Sequence, residues 1–346
     1  MMIWGHTTDG TAVPIYTLTS AHIEVRVMAY GAKLVSVRTP DRAGKMADVV
    51  LGYDTLQGFL DDSSTHFGSI VGRYGNRIAL GKFSIDGHSY QIPINNGANA
   101  LHGGPMGFDR YVWQAHEVPG GVEFTHVSPD GDMGFPGSLT AKVRYTLEGS
   151  TLRIDYSATT DKATVLNLTN HAYFNLHGDD QGNVLDQRME INADTFTPVD
   201  SGLIPTGELR SVAGTPLDFR KSQVIGARIE SDYEQMKLGA GYDHNFVVNG
   251  TPGTLRLAAI ASDPVSGRTM TVETTEPGVQ FYSGNFLDGT FTGRHGVKYE
   301  RRTGFCLETQ HFPDSPNHPD FPTTVLRPGE TFHSATTFTF GVSKAE

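Results

Sequence analysis

The sequence predicts an all-β protein built as one large antiparallel domain spanning residues 1–346. Three observations carry that prediction. Short segments in which apolar and polar residues alternate with period two recur along the whole chain. Glycine supplies 40 of 346 residues, well above the usual share of about 7 %, which implies many tight turns. Helical periodicity is confined to two short candidates, Thr55 to Asp61 and Lys221 to Ser231, and neither is long enough to organise a domain.

Taken in order, residues 22–28 (His-Ile-Glu-Val-Arg-Val-Met) alternate as a strand. Residues 82–85 and 88–92 flank Asp86-Gly87, a pair that accepts the positive φ angles of a type I′ turn, so they form a hairpin. Tyr111 to Val118 and Val122 to Val127 make a second hairpin around Pro119-Gly120-Gly121, and residues 143–147 and 152–156 a third around Glu148-Gly149-Ser150. Alternation continues through 165–175, 243–248, 254–260, 269–275, 278–282, 305–310 and 332–340. Strands at such regular spacing fit a sandwich or barrel. The Gly/Asp/Asn-rich piece 178–188 is too short for a linker, and no internal repeat is visible.

A net charge of −11 disfavours nucleic acid and anionic membrane as partners and fits a neutral ligand. The single cysteine, Cys306, excludes an intrachain disulfide framework. The start has no basic n-region followed by an apolar run, and no segment reaches bilayer-spanning length. Cytoplasm is therefore the expected compartment.

The stretch 304–313 is the strongest candidate for chemistry. As a strand, it puts Phe305, Leu307 and Thr309 on one face and Cys306, Glu308 and Gln310 on the other. A carboxylate buried among apolar residues has its pKa pushed toward neutrality, which suits a general base; the alternative is a carboxylate paired to a structural arginine. The proline-rich loop from His311 to Pro322 is expected to form a rim over a cleft. Residues 72–78 (Gly-Arg-Tyr-Gly-Asn-Arg-Ile) offer Asn76 and Arg77 for sugar hydroxyls, or else a turn capped by ion-paired arginines. In 99–104, glycines beside His102 would let a ligand approach the backbone. As one strand, 167–175 would line a polar pocket wall with Asn167, Thr169, His171, Tyr173 and Asn175, of which His171 alone exchanges protons near neutrality. Residues 242–246 put Asp243 and Asn245 on one face, and 277–285 do the same for Gln280 and Tyr282.

Together these motifs resemble the aldose 1-epimerase family, the galactose mutarotases, from about residue 5 to 342. They are Gly-Arg-x-x-Asn-Arg-Ile at 72–78, Leu-His-Gly-Gly at 101–104, Asn-Leu-Thr-Asn-His-x-Tyr-Phe-Asn-Leu at 167–176, Tyr-Asp-His-Asn-Phe at 242–246, Pro-Gly-Val-Gln-Phe-Tyr-Ser-Gly-Asn at 277–285 and Cys-Leu-Glu-Thr-Gln at 306–310. The resemblance implies a large antiparallel β-supersandwich of the galactose mutarotase-like kind. It implies Glu308 as general base and His171 as general acid, with Asn76, Arg77, His102, Asp243 and Gln280 binding sugar hydroxyls or assisting the acid. It also implies no cofactor, no metal and a free monosaccharide as partner, in a monomer or homodimer.

The expected reaction is the interconversion of α and β anomers. Glu308 as carboxylate takes the O1 proton and His171 as imidazolium protonates the ring oxygen, its pKa raised by Asp243 or another neighbour. The ring then opens and recloses on the other face, and activity falls on both sides of a pH plateau. Two rivals keep the same residues: a sugar-binding module without turnover, and a glycoside hydrolase pairing Glu308 with Asp243. A metal site finds no His-x-x-x-His or Cys-x-x-Cys spacing to support it. Cys306 is expected to pack or to floor the pocket, so that Cys306→Ser keeps most activity.

Overall fold

The computed structural model describes residues 1–343 and is dominated by antiparallel sheets; the last three residues of the expected domain lie outside that range. The largest sheet has nine strands, in the order Gln114–Val118, Gly121–Ser128, Leu139–Glu148, Thr151–Thr160, Phe332–Val342, Arg268–Thr274, Arg256–Ser262, Arg188–Ile191 and Gln223–Val224. A six-stranded sheet runs Tyr173–Phe174, Phe305–Gln310, Gly278–Tyr282, Asp243–Val248, Ala193–Thr197 and Arg210–Ser211. A five-stranded meander covers Met2–His6 to Met46–Asp48. This is the sandwich architecture the alternating pattern predicts.

Alternation explains how the six-stranded sheet serves two purposes. Phe305, Leu307, Val279, Phe281 and Phe246 point into one buried apolar cluster with Val122, Phe124, Val143, Tyr145, Ile154, Val272 and Phe338 of the nine-stranded sheet. Thr309 on the same face meets Thr336 of the large sheet through their hydroxyls at 2.6 Å. The residues between them in sequence necessarily face the other way. Register then aligns Glu308 with Gln280 and Gln280 with Asn245, and aligns Cys306 with Tyr282 and Tyr282 with Asp243. The apolar face anchors the sheet, so the polar face is held without loop flexibility.

Most strand expectations hold with shifted ends. The hairpin at Lys82–Ile85 and His88–Gln91 closes through Asp86 (φ 51°) and Gly87 (φ 79°), both left-handed as a type I′ turn requires. The short helix Leu56–Asp61 forms with Thr55 as its N-cap. The helix expected over 221–231 does not form. Gln223–Val224 instead adds an edge to the large sheet, followed by a single tight turn. A five-residue helix, Glu234–Leu238, occurs where none was predicted. Its sequence is too short for period 3.6 to register.

The stretch 165–175 is not one strand. Thr164–Val165, Thr169–Asn170 and Tyr173–Phe174 pair with three different partners, at Val325–Leu326, Ile70–Val71 and Phe305–Gln310. The chain turns between them, so its polar residues separate. Asn167 satisfies the carbonyls of Gly75 and His311, and Asn175 those of Gly182 and Thr303, while Thr169 is buried. Only His171 and Tyr173 of the five line the cavity.

Gly103 also differs from expectation. A Cβ built on it would lie 2.1 Å from the Gly72 carbonyl oxygen, and its φ is +85°. The close approach is therefore made by the protein's own backbone, not by a ligand. Gly103→Ala should lower thermal stability by more than the roughly 1–2 kcal/mol of a left-handed alanine alone, because Gly72 must also move. An unchanged melting temperature would contradict this packing.

Candidate active site

A cavity of about 490 Å³ opens on the polar face of the six-stranded sheet, within the range of about 300–1,000 Å³ typical of small-molecule sites. Its wall includes Asn76, Arg77, His102, His171, Asp243 and Glu308. Six of the seven residues singled out from sequence thus meet in one place. The seventh, Gln280, stands behind the wall and donates through Nε2 to Asp243 Oδ1 at 2.8 Å.

Glu308 and His171 face each other, with Oε1 3.5 Å from Nε2. Glu308 is only 2 % exposed, and its Oε2 is buried without a hydrogen-bond partner. Among the described residues no arginine pairs with it, which argues against the structural ion-pair alternative. Burial, and then the Asp243 charge, push its carboxyl well above the usual range, with Arg77 opposing. Burial also pushes His171 down, to about 3, helped by the charge of His66. This reverses the expectation that a neighbour raises His171: Asp243 acts on Glu308 instead. A buried acid and a buried base each avoid charge where water cannot solvate it, so burial drives the pair toward a neutral carboxyl beside a neutral imidazole.

The other imidazole nitrogen, His171 Nδ1, lies 3.6 Å from Cys306 Sγ. Burial raises the thiol's pKa, so it keeps its hydrogen, and its sulfur can accept a hydrogen bond from Nδ1–H. That tautomer leaves the Nε2 lone pair facing Glu308, free to take its proton. A serine oxygen accepts equally well, so Cys306→Ser is expected to retain most activity; a loss as deep as that of Glu308→Gln would overturn this reading.

His102 is held on both sides by Asn76: its backbone N–H donates to the Asn76 carbonyl at 3.0 Å, and its Nδ1 accepts the Asn76 backbone N–H at 3.1 Å. Asn76 Oδ1 in turn accepts from the Arg77 N–H at 2.9 Å, and Arg77 Nε donates to Asn96 Oδ1 at 3.1 Å. Both Asn76 (φ 62°) and His102 (φ 52°) sit in left-handed backbone, a strain often retained at functional sites. Arg73, by contrast, is structural. Its guanidinium is buried and donates to the carbonyls of Ser128, Pro136 and Gly137.

Donor atoms of His102, His171 and Glu308 lie within 4.8 Å of one another, a cluster that no local spacing could reveal. The hydrogen bonds argue against a metal there. Because His102 Nδ1 accepts a backbone N–H, its neutral ring carries hydrogen on Nε2 and offers the cavity a donor, not a lone pair.

The expected proline-rich rim is also displaced. His311 turns away to pair with Glu276 at 2.6 Å, and the Ser315–Asn317 turn packs beside the hairpin, where Asn317 donates to the Lys82 carbonyl. The mouth is formed instead by Ser64 to His66, Asn96, Leu203 and the segment 286–291. Phe286 there is 58 % exposed and stacks on Tyr282. Sequence reasoning missed these because they lie in irregular loops with no motif; the turn residues of Asn285 to Gly289 were the one available signal.

A buried carboxyl and imidazole 3.5 Å apart, ringed by hydrogen-bonded polar side chains, define an acid–base enzyme of the β-sandwich class. Comparison with known proteins identifies which one. Residues 14–339 match the family model described as aldose 1-epimerase. The chain is 45 % identical to galactose mutarotase of Bos taurus, over 95 % of this chain and 94 % of that protein. It is 40 % identical to aldose 1-epimerase of Escherichia coli K12, over 96 % of each. Among solved structures it is similar to galactose 1-epimerase from Lactobacillus acidophilus, with a TM-score of 0.86 and 30 % identity, covering 99 % of this chain and 98 % of that one. The chain belongs to the aldose 1-epimerase family.

Proposed function

We propose that this enzyme interconverts the α and β anomers of free aldoses by acid/base ring opening and closure. The observation that carries the proposal is the Glu308–His171 pair, 3.5 Å apart in a polar cavity. A hemiacetal needs a base at O1 and an acid at the ring oxygen, and this pair presents one of each. The neutral resting pair and the carboxylate–imidazolium pair contain the same single proton. Shifting it from Glu308 to His171 produces the reactive form. Glu308 then takes the O1 proton while His171 gives its own to the ring oxygen; the C1–O5 bond breaks, rotation about C1–C2 exposes the other aldehyde face, and the transfers reverse. Asn76, Arg77, His102 and Asp243 supply fixed hydrogen bonds to hydroxyls, and Gln280 holds Asp243 in place.

Polarimetry on freshly dissolved α-D-glucose and α-D-galactose tests this directly. Catalytic amounts of protein should accelerate the approach to equilibrium rotation. Binding without acceleration on hexoses and pentoses would favour the sugar-binding module. The chain's net charge of −11 and a cavity of about 490 Å³ support a free, uncharged monosaccharide as substrate, and the single free cysteine is compatible with a reducing compartment such as the cytoplasm. Among the described residues no helix is long and apolar enough to cross a membrane. The apolar cluster shared by the sheets supports one folding unit.

A pH profile follows from the one-proton requirement. The pair titrates as a unit, so its plateau is bounded by two macroscopic pKa values. The lower bound is pushed down by the burial of His171; the upper is pushed up by the burial of Glu308 and by Asp243. Activity should fall as pH rises through the upper bound, where the pair loses its only proton. Asp243→Asn removes the negative charge, lowers the Glu308 pKa and so moves the alkaline limb to lower pH. A shift in the opposite direction would refute the assignment.

A further inference from the structure

His66 is a third imidazole on the cavity wall, and none of the sequence motifs reaches it. Its backbone is left-handed (φ 58°) although it is not glycine. Neighbouring hydrogen bonds hold it there. The Ser69 N–H donates to the His66 carbonyl at 3.0 Å, and the Gly68 N–H donates to the His171 carbonyl at 3.0 Å. The Gly68 carbonyl accepts from the Leu34 N–H at 2.8 Å and from Asn170 Nδ2 at 2.9 Å. The turn bearing His66 is therefore bonded to the segment bearing the proposed acid. The His66 ring lies edge-on to His102 at 4.8 Å and tilted over His171 at 5.8 Å, centroid to centroid.

Asp109 fixes the direction of the ring. Its Oδ2 is 3.3 Å from the buried Nδ1 of His66, an ion-pair contact without hydrogen-bond geometry. Burial would raise the Asp109 carboxyl, yet His66, Lys33 and Arg110 together hold it well below the usual range. Asp109 is thus a carboxylate at neutral pH, and the nitrogen facing it carries a hydrogen. This leaves Nε2 on the cavity side, without a protein partner among the described residues. An imidazole serving only the core has both nitrogens satisfied; this one faces a carboxylate behind and lines the cavity in front.

We infer that His66, oriented by Asp109, is an additional substrate-contacting residue whose Nε2 hydrogen-bonds one hydroxyl of the aldose ring. The inference rests on the aldose reading above. A hydroxyl both donates and accepts, so the contact forms whichever protonation state His66 adopts. Because the nitrogen is fixed, a sugar lacking that hydroxyl leaves it unpaired, and discrimination against the analogue follows.

Polarimetric kinetics of wild type, His66→Ala and His66→Gln should be measured on the preferred aldose and on each singly deoxygenated derivative that still forms the pyranose. His66→Ala should raise KM for the parent sugar by roughly tenfold, with the loss carried mainly by KM, and His66→Gln should recover part of it. For one deoxy sugar the wild-type KM is already raised, and His66→Ala should add nothing further. An unchanged KM for every sugar overturns the inference, as does an equal loss on all of them. Should the alanine variant melt well below wild type, the glutamine variant carries the comparison. If wild type turns over no aldose, the functional reading fails separately. Calorimetric titration of the same sugars then tests the contact, and an unchanged Kd for His66→Ala overturns it.

Discussion

Glu308→Gln is expected to cut the rate of anomer interconversion by about 10²–10⁴-fold, the usual contribution of a positioned proton-transfer group, while leaving the fold intact or more stable. Glutamine keeps the size and one carbonyl oxygen of the side chain but cannot accept the O1 proton at neutral pH. The stability claim follows from linkage. Burial raises the folded-state pKa of Glu308, so the folded chain binds its proton more tightly than the unfolded chain. Stability is therefore lost as pH rises from the unfolded pKa to the folded one. A neutral amide removes that loss, and the variant should melt no lower than wild type at pH 7 and higher at alkaline pH. Polarimetry and thermal unfolding on the same preparations check both halves. A variant keeping more than roughly a tenth of the wild-type rate contradicts the base assignment. A variant that is inactive because it has unfolded shows instead that Oε2 is satisfied in a way the structure does not contain.

The same burial explains why the chemistry was easier to find in the sequence than its protonation. The strand 305–310 has period-two alternation, and a strict alternation fixes faces, so Glu308 and Cys306 could be placed opposite Phe305 and Leu307 from residue types alone. Asp243 and Gln280 were legible for the same reason. The upward push that burial gives the Glu308 pKa was legible too, but the further push from Asp243 was not, because Asp243 lies 65 positions earlier in the sequence and comes near only through two cross-strand pairings. Where alternation failed, it failed for a physical reason too. Residues 165–175 alternate as a strand does, but their backbone partners change every few residues, so three of the five polar side chains serve backbone carbonyls or the interior and never reach the cavity. His66 is the clearest omission. Its role rests on a left-handed turn and on Asp109, 43 positions later and 3.3 Å away, and neither leaves a periodic or motif signal.

His171→Gln is expected to cost a similar factor of about 10²–10⁴, and the double variant with Glu308→Gln should cost little more than either alone. Glutamine reaches toward the position of Nε2 and can donate a hydrogen bond to the ring oxygen, but it cannot release a proton, so the alkoxide formed on ring opening is left without its acid. The near-absence of further loss is the sharper statement. If the two groups contributed independently, their factors would multiply to about 10⁴–10⁸. The geometry argues against independence: one proton is shared across 3.5 Å, and removing either partner ends the relay, so the second removal has little left to abolish. Such collapse is typical of residues that act as a unit. Measuring all four proteins on one sugar closes the cycle. Multiplicative losses would mean that Glu308 and His171 work through separate proton sources, and the single-proton account of the pH plateau would fall with that result.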